Sequence, residues 1–326
     1  MIVCVIGCTG YLGSKISAQL YSQGHKVIGV CRNFPKHNKK FKKKFFKIIE
    51  GDITNLSLQK KIFSNTISSI VYTVSLNHKV SEKNLNHSIN VSYIPLLNIC
   101  NYIVKKHLKI KIIYFSTMQV YGDYSKEKII TEKTKKKCRN IYGLTHSMCE
   151  DILEIFSKYS DIQSTSLRLS NGYGYPELKT CDCWWLVIND FCINSQKKNE
   201  IKINSDGSPL RDFIHISDIA LTVQKLLLLK KGLPRVMNLC SGKTISMLEI
   251  AKIVQRNSIA INKNPTLFVK GQKVDKKNLM RKINIIKNKN KFRISNYEMK
   301  KLNIKPKIDI SNGIKKTLKE LEGSNN

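Results

Sequence analysis

The chain has 326 residues, 41% hydrophobic and 25% charged, which allows one large or two medium domains; no apolar run approaches the ~18 residues of a bilayer-spanning helix. Its formal charge of +34 raises nucleic-acid binding, yet only eight of the 57 basic residues are arginine and the lysines are spread along most of the chain, so specific nucleic-acid recognition is disfavoured. Ten scattered cysteines without a C-x-x-C pair exclude a zinc framework and read as reduced, buried thiols, and no metal site is expected.

In chain order, "MIVCVIG" reads as a buried strand without the basic start or cleavage site of a leader, and a cytoplasmic protein is the expectation. "YLGSKISAQLYSQG" is an amphipathic helix ended by Gly24, and "HKVIGVC" a second strand. The lysine-rich "HNKKFKKKFFK" (37–47) precedes "FFKIIEGD", a helix near 56–65 and the strand "SSIVYTVS"; a long helix over 89–107 leads to "IKIIYFST". Strands alternating with helices across short turns predict a doubly wound α/β fold with a parallel sheet. Past residue 170 the pattern loosens, with Gly and Pro in "NGYGYPELK" and "SDGSPLRD". The expected division is a dinucleotide-binding domain over 1–170, to which segments near 211–240 return, and a smaller, interleaved substrate-binding domain over 171–326. The lysine clusters at 37–47 and 271–293 are candidate anion or membrane-surface patches.

"GCTGYLG" sets Gly7, Gly10 and Gly13 between the first strand and first helix. There, backbone N–H groups and the helix N-terminus can meet a pyrophosphate that a Cβ would obstruct. Gly7, Thr9, Gly10, Tyr11, Leu12 and Gly13 are therefore candidate cofactor contacts. An acidic residue at the end of the second strand would hold the ribose of NAD; Cys31 followed by Arg32 stands there instead, so NADP(H) is expected over NAD(H), which stays open. "GD" offers Asp52, with Ile53 beside it, to the adenine end.

Several stretches together, "GCTGYLG", "FSTMQVYG" (115–122), "YGLTHSMCE" (142–150), "LRLSNGYG" (167–174), "RDFIHISDIA" (211–220) and "NLCSGKTISMLEIA" (238–251), resemble the extended short-chain dehydrogenase/reductase family, in its nucleotide-sugar epimerase, dehydratase and reductase branch. The resemblance implies that Thr117 hydrogen-bonds the reacting sugar oxygen and that Tyr142 is the general acid/base. It implies that Asn171 and Arg211 contact the substrate diphosphate, and that Asn90 supports the catalytic region. It also implies a homodimer through the helix near 89–107 and the one carrying Tyr142.

Two departures narrow the reading. Met118 and Gln119 stand where the dehydratases carry Asp-Glu, which disfavours dehydration. His146 replaces the family's lysine, four residues after Tyr142 on one helical face. A neutral imidazole can still bond a ribose hydroxyl, so His146 is both a catalytic and a cofactor candidate, but it depresses the tyrosine pKa less than an ammonium does. Turnover is expected to be reduced or shifted in pH. The leading expectation is 4-keto reduction of a nucleotide sugar with NADPH. The alternatives are a 4-epimerase with tightly bound NAD and, from another class, a catalytically weak nucleotide-binding or scaffold protein.

Overall fold

The computed structural model describes residues 1–123, 127–274 and 292–323. Its centre is a seven-stranded, wholly parallel sheet made of β1 (Ile2–Ile6), β2 (Lys26–Cys31), β3 (Lys47–Glu50), β4 (Ser69–Tyr72), β5 (Lys111–Thr117), β7 (Gln163–Leu169) and β11 (Val236–Leu239). Their spatial order is β11-β7-β5-β4-β1-β2-β3. The order reverses between β1 and β4, which opens a crevice at their carboxyl ends, where doubly wound sheets take ligands. The inner strands are apolar on both faces because helices cover both. On one side α1 (Tyr11–Ser22) packs with α9 (Ile216–Leu228); on the other, α3 (Leu56–Phe63), α6 (Ile94–Lys105) and α7 (Ile141–Tyr159) cover the sheet. Lys111 Nζ turns under α9 and donates to the carbonyls of Leu226, Leu227 and Leu229, satisfying acceptors that the helix end leaves open.

The expected long helix over 89–107 is broken. Residues Ile89–Tyr93 form a π turn before α6 begins, with Pro95 in the first turn of α6. Proline has no N–H for the carbonyl four residues back, and the chain widens there to accommodate it.

After β7 the chain builds smaller sheets. β8 (Asn171–Tyr173) pairs with β10 (Leu210–His215), which also pairs with β12 (Thr244–Ser246). β9 (Glu200–Ile203) pairs with β13 (Thr266–Val269) and, through it, with the short β14 (Gln272–Lys273). A separate core joins α8 (Val187–Lys197), α10 (Met247–Ile259) and the last helix, Ile310–Glu322, through Ile188, Leu248, Val254, Ile314 and Leu318. Between these segments β11 returns to the large sheet, beside β7. All ten cysteines are free thiols, nine of them buried. Among the described residues no helix is long and apolar enough to cross a membrane, and no group of metal ligands gathers. Of the two lysine clusters, 37–47 folds around a short helix, Lys39–Lys42, with Phe41 buried beneath it; residues 275–291 of the second lie outside the described residues.

Candidate active site

The turn after β1 is built by its glycines. Gly7 adopts φ +89°, its N–H and that of Cys8 both donate to Val30 O, and Gly10 N–H donates back to Gly7 O. A Cβ on Gly13 would lie 2.1 Å from Gly7 O, so α1 can rest this close to the turn only as glycine. Gly10 caps α1 without a side-chain hydrogen bond, and no acidic residue occupies the first turn. The helix start therefore presents N–H donors and positive dipole to an incoming anion.

Beside this turn lies a cleft of about 740 Å³. Gly10, Tyr11, Leu12 and Gly13 line it, with Thr117, Tyr142, His146, Asn171 and Arg211. Residues far apart in sequence thus meet: the turn from β1, Thr117 from the end of β5, the Tyr–His pair from the first turns of α7, and Asn171 and Arg211 from β8 and β10. Thr117 Oγ1 accepts Gln119 N–H at 3.2 Å, leaving its own hydroxyl hydrogen available. The Tyr142 ring meets the His146 ring edge-on, centroids 4.5 Å apart. Burial raises the Tyr142 pKa, and the hydroxyls of Thr117 and Ser75 act against it. His146 is buried and its pKa falls to about 4, because burial outweighs the nearby Phe115 carbonyl. Burial thus favours the neutral imidazole. Its Nδ1 lies 2.6 Å from Tyr114 Oη, and its Nε2 has no hydrogen-bond partner.

Other expected residues stand elsewhere. Gly7 is consumed inside the turn, and Thr9 fastens it to Cys181, whose thiol donates to Thr9 O. Arg32 is exposed just beyond β2; Asp52, exposed beyond β3, accepts from Thr54 N and Oγ1, both at 2.9 Å. Those donors hold the Asp52 pKa below the usual carboxylate value, with help from the Arg32 charge. The Ile53 side chain is buried in the core with Val30, Ile49 and Leu58, so a contact to the cofactor from this position would come from its backbone. Asn90, expected to support the catalytic region, is exposed in the π turn, which packs on α7, and it does not line the cleft. Arg211 and Asp212 do not pair. Strand alternation leaves Arg211 exposed at the cleft while Asp212, 1% exposed, accepts from Ser170, Ser241, Gly242 and Lys243. Asn171 Nδ2 donates to Asp212 O at 2.8 Å.

The sequence reading missed several groups. Ser75 and His78 follow β4 and line the cleft; their position after a strand at the reversal point was the available signal. Asn140 caps α7 through Gly143 N–H and donates to Gln119 Oε1, and Glu82 accepts from the N–H groups of Ile141 and Tyr142, so two polar side chains anchor the helix start that bears the tyrosine. Behind the cleft, buried Arg168 pairs with Glu150, which also accepts from Ser116 Oγ. This brace ties α7 and β7 to the residue before Thr117. The two tryptophans divide: Trp184 packs on the core, whereas Trp185, 49% exposed, lines the cleft.

A dinucleotide suits this cleft on two observations: a turn that any Cβ would fill, and a buried, orphaned Nε2 among the lining residues. A UDP-glucose 4-epimerase of Yersinia enterocolitica is 30% identical over 285 residues, 78% of this chain and 82% of the relative. The solved structure of a UDP-glucose 4-epimerase from Thermotoga maritima, with UDP-glucose, superposes with a TM-score of 0.83 at 21% identity over 100% of both chains. That of a Thermus thermophilus UDP-glucose 4-epimerase, complexed with NAD, gives 0.80 at 18% identity, covering 99% of this chain and 100% of that one. The profile of the NAD dependent epimerase/dehydratase family matches residues 3–240, and the chain belongs to that family.

Proposed function

We propose that this chain is a nucleotide-sugar 4-epimerase working through a 4-keto sugar with a retained NAD. The observation that carries the reading is the meeting of Thr117, Tyr142 and His146 on one cleft beside the Gly10–Gly13 helix start. When bound, the dinucleotide supplies a hydride acceptor and donor. Tyr142 Oη takes a proton from the sugar 4-hydroxyl in the oxidising half and returns it to the 4-keto oxygen in the reducing half. Thr117 Oγ1 orients that oxygen, and Arg211, which lines the cleft and whose guanidinium donates to the Leu210 carbonyl, suits the diphosphate. Met118 and Gln119 line the cleft where elimination of water needs an acid and a base, and Gln119 Oε1 is engaged by Asn140.

NAD is favoured because relatives of this family carry it in their structures and because Asp52 stands within reach of the Arg32 charge, where it opposes a second phosphate. Cys31 and Arg32 favour the second reading, net 4-keto reduction with NADPH. We assign the cofactor role to residues 1–170 with the return near 211–240, and the substrate role to 171–326. We further propose a homodimer. Leu144, Ile155 and Tyr159 expose an apolar stripe on α7, next to exposed Val104 on α6.

The test is to release any nucleotide from the purified protein, identify it by mass, and follow UDP-glucose and UDP-galactose by anion exchange. Retained NAD and interconversion abolished by Tyr142→Phe are expected. NADP binding at least tenfold tighter than NAD would move the assignment to the reductase, and no turnover on any nucleotide sugar to the scaffold.

A further inference from the structure

Tyr114 and His146 form a buried pair that this reaction scheme does not use. Tyr114 lies on β5 and is 1% exposed; His146 lies on α7 and is 2% exposed. Tyr114 Oη and His146 Nδ1 are 2.6 Å apart, while Nε2, on the other side of a ring that lines the cleft, is buried without a partner. A neutral imidazole carries one N–H and one lone pair, and the bond made by one nitrogen sets the state of the other.

Two arrangements satisfy the 2.6 Å contact. In the first, Nδ1–H donates to Tyr114 Oη, and the phenol hydrogen must find another acceptor. The groups around Tyr114 are Cys149, Tyr72 and Glu150; thiol sulfur is a weak acceptor, Cys149 already directs its own S–H to Ser92 O, and the Glu150 oxygens are engaged by Arg168 and Ser116. In the second, Tyr114 donates to Nδ1, a strong acceptor, and the one donor left over is Nε2–H. The second leaves less buried hydrogen-bonding capacity unmet.

We propose that Tyr114 is a positioning residue that holds His146 as its Nε2–H tautomer, making the histidine a neutral hydrogen-bond donor to a ligand oxygen in the cleft. Naming that oxygen as a ribose hydroxyl of the dinucleotide rests on the function proposed above. The pair keeps the donor half of what a lysine offers at this position and gives up the charge.

The test uses the intact protein labelled with 15N-histidine. The His146 signals, assigned among seven histidines by difference against H146Q, give the tautomer from two-bond proton–nitrogen correlations with and without NAD. The Nε2-protonated pattern is expected in the ligand-free protein, giving way to a mixture in Y114F. NAD titration then follows wild type, Y114F, H146Q and Y114F/H146Q. Glutamine places an amide near Nε2 and has nothing for Tyr114 to hold. Y114F is therefore expected to weaken NAD about 3- to 10-fold in the histidine background and not in the glutamine background. An Nδ1-protonated pattern in the wild type overturns the proposal, as does equal weakening by Y114F in both backgrounds. Failure of the wild type to bind NAD overturns the cofactor assignment, while the ligand-free spectrum still decides the tautomer.

Discussion

Restoring a lysine at position 146 tests the electrostatics of the site most directly. In the present chain Tyr142 has a pKa raised by burial and His146 is neutral, so no cation on that helical face helps the phenol to ionise. His146→Lys puts an ammonium about where the imidazole now sits, 4.5 Å from the phenol by ring centroids. At an effective dielectric of about 20, a unit charge at about 4.5 Å contributes ~3.7 kcal/mol, or ~2.7 pKa units. Desolvation of the ammonium reduces this, and a depression of about 2 units is the expectation. The assay is the initial rate of nucleotide-sugar epimerisation from pH 6 to 9.5. With the base form of Tyr142 required for oxidation, wild-type log rate rises with a slope of about +1 and no plateau below pH 9. His146→Lys brings a plateau into the range and gains on the order of 10- to 100-fold at pH 7. A wild-type rate flat across this range, or a lysine variant no faster at any pH, refutes the reasoning.

Three further outcomes follow from the geometry. His215 Nδ1 accepts Ser217 N–H at the start of α9 and burial lowers its pKa to about 3, as it lowers that of His146 to about 4. Their contribution is complete above the unfolded value near 6.5 and is lost as pH falls from there toward 4, at roughly 1.4 kcal/mol per pH unit for each histidine. His215→Asn, which keeps a capping oxygen, is expected to lessen that acid loss in urea midpoints measured at pH 7, 5.5 and 4.5. Glu150→Gln leaves the buried Arg168 guanidinium without its counter-charge and is expected to cost roughly 3–5 kcal/mol in chemical denaturation, with part recovered by adding Arg168→Met. Gly13→Ala drives a Cβ to 2.1 Å from the Gly7 carbonyl oxygen, backbone that cannot yield cheaply. Roughly 1–3 kcal/mol of stability and most dinucleotide affinity should be lost, as read by denaturation and by NAD titration.

Much of the cleft lining is legible in the sequence because it sits at strand ends that local pattern identifies. The glycine turn is read from spacing after an apolar run, and Thr117 from its place at the end of β5. The Tyr142–His146 register is read from helical period alone, since an i, i+4 pair shares a face whatever the helix packs against. Side-chain direction is what local pattern does not give. The side chain of Ile53, next to exposed Asp52, turns into the core. Asn90 lies in a π turn that interrupts the helix, a break that periodicity does not reveal.

Sequence by itself determined the alternation of buried strands and covering helices, the glycine turn, and the replacement of lysine by His146, because each depends on residues close together in the chain. Tertiary structure alone decided what that replacement means. Tyr114 is 32 residues from His146 and Arg168 is 18 from Glu150, and only the packing of α7 on β5 and β7 brings them into hydrogen-bond contact. Burial there makes the imidazole neutral, and the Tyr114 hydroxyl occupies one of its nitrogens. The other is buried without a partner in a ring that lines the cleft, which no pattern along the chain records.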